Sequence, residues 1–363
     1  MNVEVRRCQP IDCDIHPAVP NFAVLVPYLD DYWREAVLTR GIDRLDFDLT
    51  AYPPGAPLSG RPDWRPARGQ PGSDLAQLRQ QALDHFGSRL AICNVVHGVQ
   101  GLFNADMAAA FCCAINDWLA AEVLVQDPRL RASIVIPWQD VGLSVAEIER
   151  RADDRRFVQV LMLVQGETPL GRRQWWPLYE AAQRHDLPIG IHAGSIYRHA
   201  PTPTGWPGSY LADYVAYGNA FEPALLSLIA EGVFVKFPGL KIVLLESGVT
   251  WLPAFIWRAN KTWRGTRSET PWVRRPPGDY VRDHVRLTTQ PLDAPPDAGM
   301  LETILEQLAS DRLLLFATDY PHWHYDGDDV LPASLSGALA PRVLYENALD
   351  TYPRLMQSAL AAS

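Results

Sequence analysis

At four places this 363-residue chain puts ionisable side chains where a short apolar run ends. The first is Ile11-Asp12-Cys13-Asp14-Ile15-His16, in which apolar and polar residues alternate. Read as a strand, it turns Ile11, Cys13 and Ile15 to one side and Asp12, Asp14 and His16 to the other. A carboxylate and an imidazole two residues apart on one side suit a divalent cation. Alone the triplet is a weak signal, since Asp-x-His arises often by chance. The other three runs change its weight. His192-Ala193-Gly194 follows Leu187 to Ile191, Glu246-Ser247-Gly248 follows Ile242 to Leu245, and Asp319-Tyr320-Pro321-His322 follows Leu313 to Thr318. A lone His192 reads as a packed strand-end histidine and a lone Asp319 as a helix cap. Capping does not explain four such ends in one chain.

The elements that must carry these groups alternate along the sequence. Strands are expected over residues 11–16, 89–96, 130–137, 158–164, 187–193, 241–246, 285–289 and 313–318. Helical spacing covers 22–40, 73–86 (with Ser73 as N-cap), 104–126, 145–153, 174–185, 211–231, 251–263 and 300–309, and two helices, 330–339 and 342–360, close the chain. Most strands are followed by a helix and are too apolar for one-sided burial, which specifies a parallel sheet covered by helices. Eight such units favour a closed α/β (β/α)8 TIM barrel over an open doubly wound sheet, and no glycine-rich phosphate loop follows the first strand. Chemistry in a barrel sits at the C-terminal strand ends, where all four motifs fall. Residues 43–72, rich in Pro and Gly, form an insertion after strand one that reads as a lid, an oligomer contact or a passive surface loop. The whole of 1–363 reads as one domain.

Composition narrows the classes. With 47% hydrophobic and 21% charged residues the chain is an ordinary soluble protein, and a net charge of −9 argues against nucleic acid or an anionic membrane as partner. Five cysteines without paired zinc-ribbon spacing suit free thiols in a reducing, cytoplasmic setting. No run is long enough to span a bilayer or serve as a signal sequence.

The Asp-x-His after strand one, His-Ala-Gly after strand five and Asp-Tyr-Pro-His after strand eight resemble the amidohydrolase superfamily. More narrowly they are similar to the amidohydrolase-related branch that includes aminocarboxymuconate semialdehyde decarboxylase and γ-resorcylate decarboxylase. The resemblance runs through Leu240 to Gly248 and the closing Leu344-Tyr345-Glu346-Asn347-Ala348. It implies a distorted (β/α)8 barrel holding one divalent ion, zinc first and manganese second, with Asp14, His16, His192 and Asp319 as ligands. Two departures stand out. Asp14 occupies a place where many members have histidine, and Glu246 stands where the decarboxylases resembled have one. Strand four lacks the lysine that bridges two metals in other members, so one ion is expected.

On this reading the ion activates a water in the remaining position, and Asp319 takes and returns its proton. Glu246 orients substrate, acts as a second acid–base group or is simply a buried glutamate bonded to loop amides. His322 is a further catalytic candidate. His97, Trp138, Tyr197, Trp323 and His324 are candidate substrate contacts, with Trp206 completing an aromatic wall for a planar small molecule. Each of these also fits plain packing or an exposed loop. The first expectation is a hydrolase of a small amide, ester, lactone or cyclic imide. The alternative is a non-oxidative decarboxylase of an aromatic or enolic acid, and the third a non-catalytic ligand-binding barrel. A homodimer is compatible with the insertion and the terminal helices.

Overall fold

A computed structural model describes residues 9–43, 60–195, 200, 202–295, 297–322, 331, 335 and 337–355. Eight parallel strands pair in chain order: β1 (Ile11–Ile15), β2 (Leu90–Cys93), β3 (Leu130–Val135), β4 (Phe157–Gln165), β5 (Ile189–Ser195), β6 (Ile242–Leu245), β7 (Val285–Thr288) and β8 (Leu314–Leu315). The cylinder closes where Cys13 N donates to Phe316 O at 2.9 Å, Asp319 N to Asp14 O at 3.0 Å and His16 N to Tyr320 O at 2.7 Å. The eight-stranded barrel expected from the alternation is the fold observed.

The helices are α1 (Asp31–Arg40), α2 (Leu75–Leu78), α3 (Ala105–Trp118), α4 (Val141–Arg151), α5 (Trp176–Arg184), α6 (Tyr210–Ala230), α7 (Val233–Lys236), α8 (Leu252–Thr266), α9 (Pro277–His284), α10 (Ala298–Leu308) and α11 (Asn347–Thr351). Many start on a side chain that accepts from the first free N–H groups: Asp30, Asn104, Asp140, Ser209 and Asp297 do so. Asp74, not Ser73, caps α2, because its carboxylate takes both Ala76 N and Gln77 N, while Ser73 Oγ donates to Gln70 O. The long helix expected at 342–360 is a π-helical turn, Arg342–Glu346, running into α11, and residues beyond 355 lie outside the described ones.

Two apolar layers result. Ile11, Cys13, Leu90, Ile92, Val158, Leu161, Val243, Leu245 and Leu315 form an inner cluster from five strands together with Tyr352 and Leu355, so it fills the lumen. The larger layer lies between strands and helices and includes Ile15, Ile191 and Leu244. The expected alternation of β1 therefore fails at its end, since Ile15 leaves the layer of Ile11 and Cys13. A register shift between Asp12 and Ile15 accounts for it.

Of the 43–72 insertion, residues 44–59 lie outside the described ones. Its remainder lies against the chain after β8: Gly60 bridges His322, and Arg61 N donates to Pro321 O at 2.8 Å. Gly72 closes it with φ of 79°, and a Cβ there would stand 2.3 Å from His16 O. Gly72→Ala is expected to cost about 1–3 kcal/mol, read as a lower urea midpoint with an unchanged slope.

Candidate metal centre

The ends of β1, β5 and β6 and the loop after β8, which carries both Asp319 and His322, converge at one mouth. His16 Nε2 lies 3.2 Å from Asp14 Oδ1, 3.0 Å from Asp319 Oδ1 and 3.8 Å from Glu246 Oε1. Glu246 Oε1 is 3.2 Å from His192 Nε2 and 3.3 Å from His322 Nδ1. The ligand atoms form two overlapping groups, Asp14–His16–His192–Glu246 and His16–Glu246–Asp319–His322, each within 4.8 Å. Thus the four expected ligands do not make one mutual set: Asp319 joins the others through His16 and Glu246. Two donors about 2.1 Å from one ion lie roughly 3.0–3.4 Å apart, which most of these spacings match.

The hydrogen bonds around the mouth prepare the donors for an ion. His16 Nδ1 donates to Asn94 O at 2.7 Å and His192 Nδ1 to Ala193 O at 2.6 Å. A carbonyl only accepts, so both rings carry hydrogen on Nδ1 and turn Nε2 to the centre, the arrangement metal-bound histidines adopt. Asp14 Oδ2, His16 Nε2, His192 Nε2 and Glu246 Oε1 are buried and make no hydrogen bond. Buried polar atoms are rarely left so. Their convergence fits a divalent ion, with carboxylate and imidazole the donors it prefers.

Charge in the ion-free chain follows the same geometry. Burial lowers the His16 pKa, but Asp14 and Asp319 outweigh it and raise it well above the usual value. For His322, burial is likewise overcome, mainly by Asp319 and then by Glu246, giving about 9. Burial and Asp319 push the Glu246 carboxyl up, yet His192 and His322 hold it at about 2. Protons thus balance the carboxylates, and a cation held by His16 and His192 would displace theirs while leaving His322, outside the four expected ligands, to keep its own.

Local backbone places two of these groups. Leu245 belongs to the lumen, so alternation would send Glu246 outward; a left-handed φ of 56° turns it over the mouth instead. Asp319 has φ of 55°, and the turn brings His322 back so that its ring bonds the Asp319 carboxylate while its N–H donates to Asp319 O at 2.7 Å. Asp12 takes no part. It accepts from Thr318 N at 3.0 Å and Thr318 Oγ1 at 2.7 Å, stapling β1 to the segment after β8, and burial pushes its carboxyl up to about 7.

A cavity of about 250 Å³ opens beside Glu246, lined among others by His97, Ser195, Tyr210, Tyr214 and Tyr217. Burial pushes the His97 pKa down to about 4, so the ring is a neutral donor or acceptor. The tyrosines stand at i, i+4 and i+7 of α6, one helical face. That spacing was visible in the sequence and was passed over. Trp138, an expected wall residue, is 1% exposed, packs on Trp175 at 5.5 Å and is not among the residues that line this cavity. Trp206 is exposed, and Tyr197, Trp323 and His324 lie outside the described residues.

Residues 11–354 match the amidohydrolase family. The chain belongs to that family. It is 28% identical over 293 residues to the γ-resorcylate decarboxylase of Polaromonas sp. (strain JS666 / ATCC BAA-500), covering 77% of this chain and 87% of that enzyme. The crystal structure of dihydroxybenzoic acid decarboxylase from Polaromonas sp. JS666, with bound manganese and the inhibitor 2-nitroresorcinol, has a TM-score of 0.66 at 21% identity over 95% of this chain and 97% of that one. The 5-carboxyvanillate decarboxylase of Novosphingobium aromaticivorans, also with bound manganese, has a TM-score of 0.69 at 21% identity over the same shares. This amidohydrolase is a metal-dependent enzyme with a single metal site. The hydrolase expected from the sequence is overturned, because these relatives are decarboxylases. That expectation leaned on Glu246 replacing a histidine, and one exchanged side chain was a poor guide to the bond broken. No helix among the described residues is long and apolar enough to cross a membrane.

Proposed function

We propose that this amidohydrolase is a non-oxidative decarboxylase of a small aromatic acid. The observation carrying the reading is the junction of the carboxylate–imidazole cluster with a tyrosine-walled cavity at Glu246. Asp14, His16, His192 and Asp319 would hold the ion, with Glu246 facing it. Two carboxylates among these donors and a third facing them make a hard site, and two related decarboxylases were solved with manganese, which puts manganese ahead of the zinc first expected. When bound, the ion supplies a Lewis acid for the substrate carboxylate and an adjoining ring oxygen.

The protein's own residues then have to move one proton. Loss of carbon dioxide leaves the electron pair of the broken bond on the ring carbon, which must take a proton for the ring to end as the free arene. The hydrogen-bonded Asp319–His322 pair is the donor, because His322 is the more readily protonated partner and Asp319 stands at the mouth. Glu246, held ionised, keeps His322 charged and so keeps the proton available. Tyr210 and Tyr214, with ring centroids 5.7 Å apart, offer a flat wall to an arene, and neutral His97 can bond a ring substituent.

The test uses chelator-treated protein reloaded with Mn²⁺ and a panel of hydroxy-substituted benzoic acids. Expected is release of one carbon dioxide per substrate consumed, abolished by chelation and restored by Mn²⁺. Turnover of cyclic amides or esters, with no carbon dioxide from any acid, would reject the reading.

A further inference from the structure

We infer that Asn94 is the positioning residue that sets Asp14 beside His16, and that a hydrogen-bonded line through the barrel lumen to Tyr352 holds it in place. The inference rests on the reading that Asp14 and His16 hold the ion. Asn94 is fully buried at the end of β2. Its side-chain Nδ2 donates to Asp14 Oδ1 at 2.8 Å, and its backbone carbonyl accepts from His16 Nδ1 at 2.7 Å. The side chain therefore engages one Asp14 oxygen, leaving Oδ2 without a hydrogen bond, while the backbone at this position sets which nitrogen His16 presents.

An amide can flip, and here the neighbours decide which way it points. Asn94 Oδ1 accepts from Ser133 Oγ at 2.5 Å and Gln159 Nε2 at 3.1 Å, so only Nδ2 is left to face Asp14. Gln159 is oriented in turn, because its Nε2 must donate to Asn94 Oδ1, which leaves Oε1 to accept from Tyr352 Oη at 2.9 Å; Nε2 also donates to Ser133 Oγ at 2.9 Å. Gly190 leaves room for it: a Cβ there would stand 2.4 Å from Gln159 Nε2. Tyr352 belongs to the segment that seals the far end of the barrel. There Arg354 donates to the carbonyls of Phe157, His185 and Ala152, and Asn347 to those of Asp311 and Leu314. A hydrogen-bonded line thus crosses the lumen from the plug to the mouth. The Asp14 carboxylate only accepts, so it sets the sense of the whole line, and a buried network with one sense fixes a unique geometry.

Partners behind metal ligands typically change ion affinity about 10- to 100-fold when removed. In chelator-treated protein, Mn²⁺ affinity measured by competition with a chelating dye should fall about 10- to 100-fold in Asn94→Ala. Tyr352→Phe and Gln159→Leu should each weaken it by roughly threefold or more, with the Mn²⁺ electron-spin-resonance line shape altered in the same variants. A residue that only supports folding would lower the thermal midpoint without changing either readout of the folded fraction. Should Asn94→Ala fold and bind Mn²⁺ within about threefold of the unsubstituted chain, the inference is overturned; should it not fold, unchanged affinity in both Tyr352→Phe and Gln159→Leu overturns it. Asp14→Ala separates the two levels. Unchanged binding there removes the reading of the ligands, whereas lost binding there with unchanged binding in Asn94→Ala removes the role of Asn94 alone.

Discussion

Asp319→Asn is expected to slow decarboxylation by about 10²–10⁴-fold at saturating Mn²⁺. Asparagine keeps the size and the bend of the side chain but cannot pass a proton to carbon. It also removes the charge that contributes most to raising the His322 pKa, so His322 becomes a poorer reservoir. Working at saturating ion separates this from weaker binding, since Asp319 also faces His16 Nε2 at 3.0 Å. Rates measured by carbon dioxide release, with bound manganese quantified in parallel, decide the matter. A rate within tenfold of the unsubstituted enzyme at full occupancy would remove Asp319 from the proton path.

Glu246→Gln is expected to lower the rate by about 10²-fold. Glu246, like His16, belongs to both ligand groups, and three imidazole nitrogens lie between 3.2 and 3.8 Å from its Oε1. An amide there no longer holds His322 charged. The sign on pH is therefore definite. Glu246 is among the groups that raise the His322 pKa to about 9, so losing its charge moves the basic limb of the rate profile to lower pH. The limb is read from kcat between pH 6 and pH 10 at saturating Mn²⁺. A limb that stays in place would show that Glu246 does not tune His322, and that its part is confined to the ion.

Much of this site was legible in order of sequence because strand ends are local features. Apolar runs of five or six residues mark the barrel strands, and the residue after each run marks its mouth, so Asp14, His16, His192, Glu246 and Asp319 could be picked without coordinates. The closing of eight strands into one cylinder then brings those ends together by topology alone. The family motifs added the expectation of a single ion, and the absence of a lysine in β4 agreed with it.

Distances and facing directions needed the folded chain, because they depend on partners far apart in sequence and on backbone angles that residue type does not dictate. A register shift in β1 breaks the alternation that seemed to align Asp12 with Asp14, and Thr318, 306 residues away, captures Asp12. A left-handed turn at Glu246, a conformation uncommon outside glycine, brings a side chain to the mouth that strand periodicity would have sent outward. Trp138 shows the same limit from the other side: an aromatic at a strand end can serve a pocket or a core, and its packing on Trp175 was not visible in the sequence. Periodicity says which residues share a face of an element; which faces meet, and how closely, is settled by non-local contacts, and the chemistry follows from those.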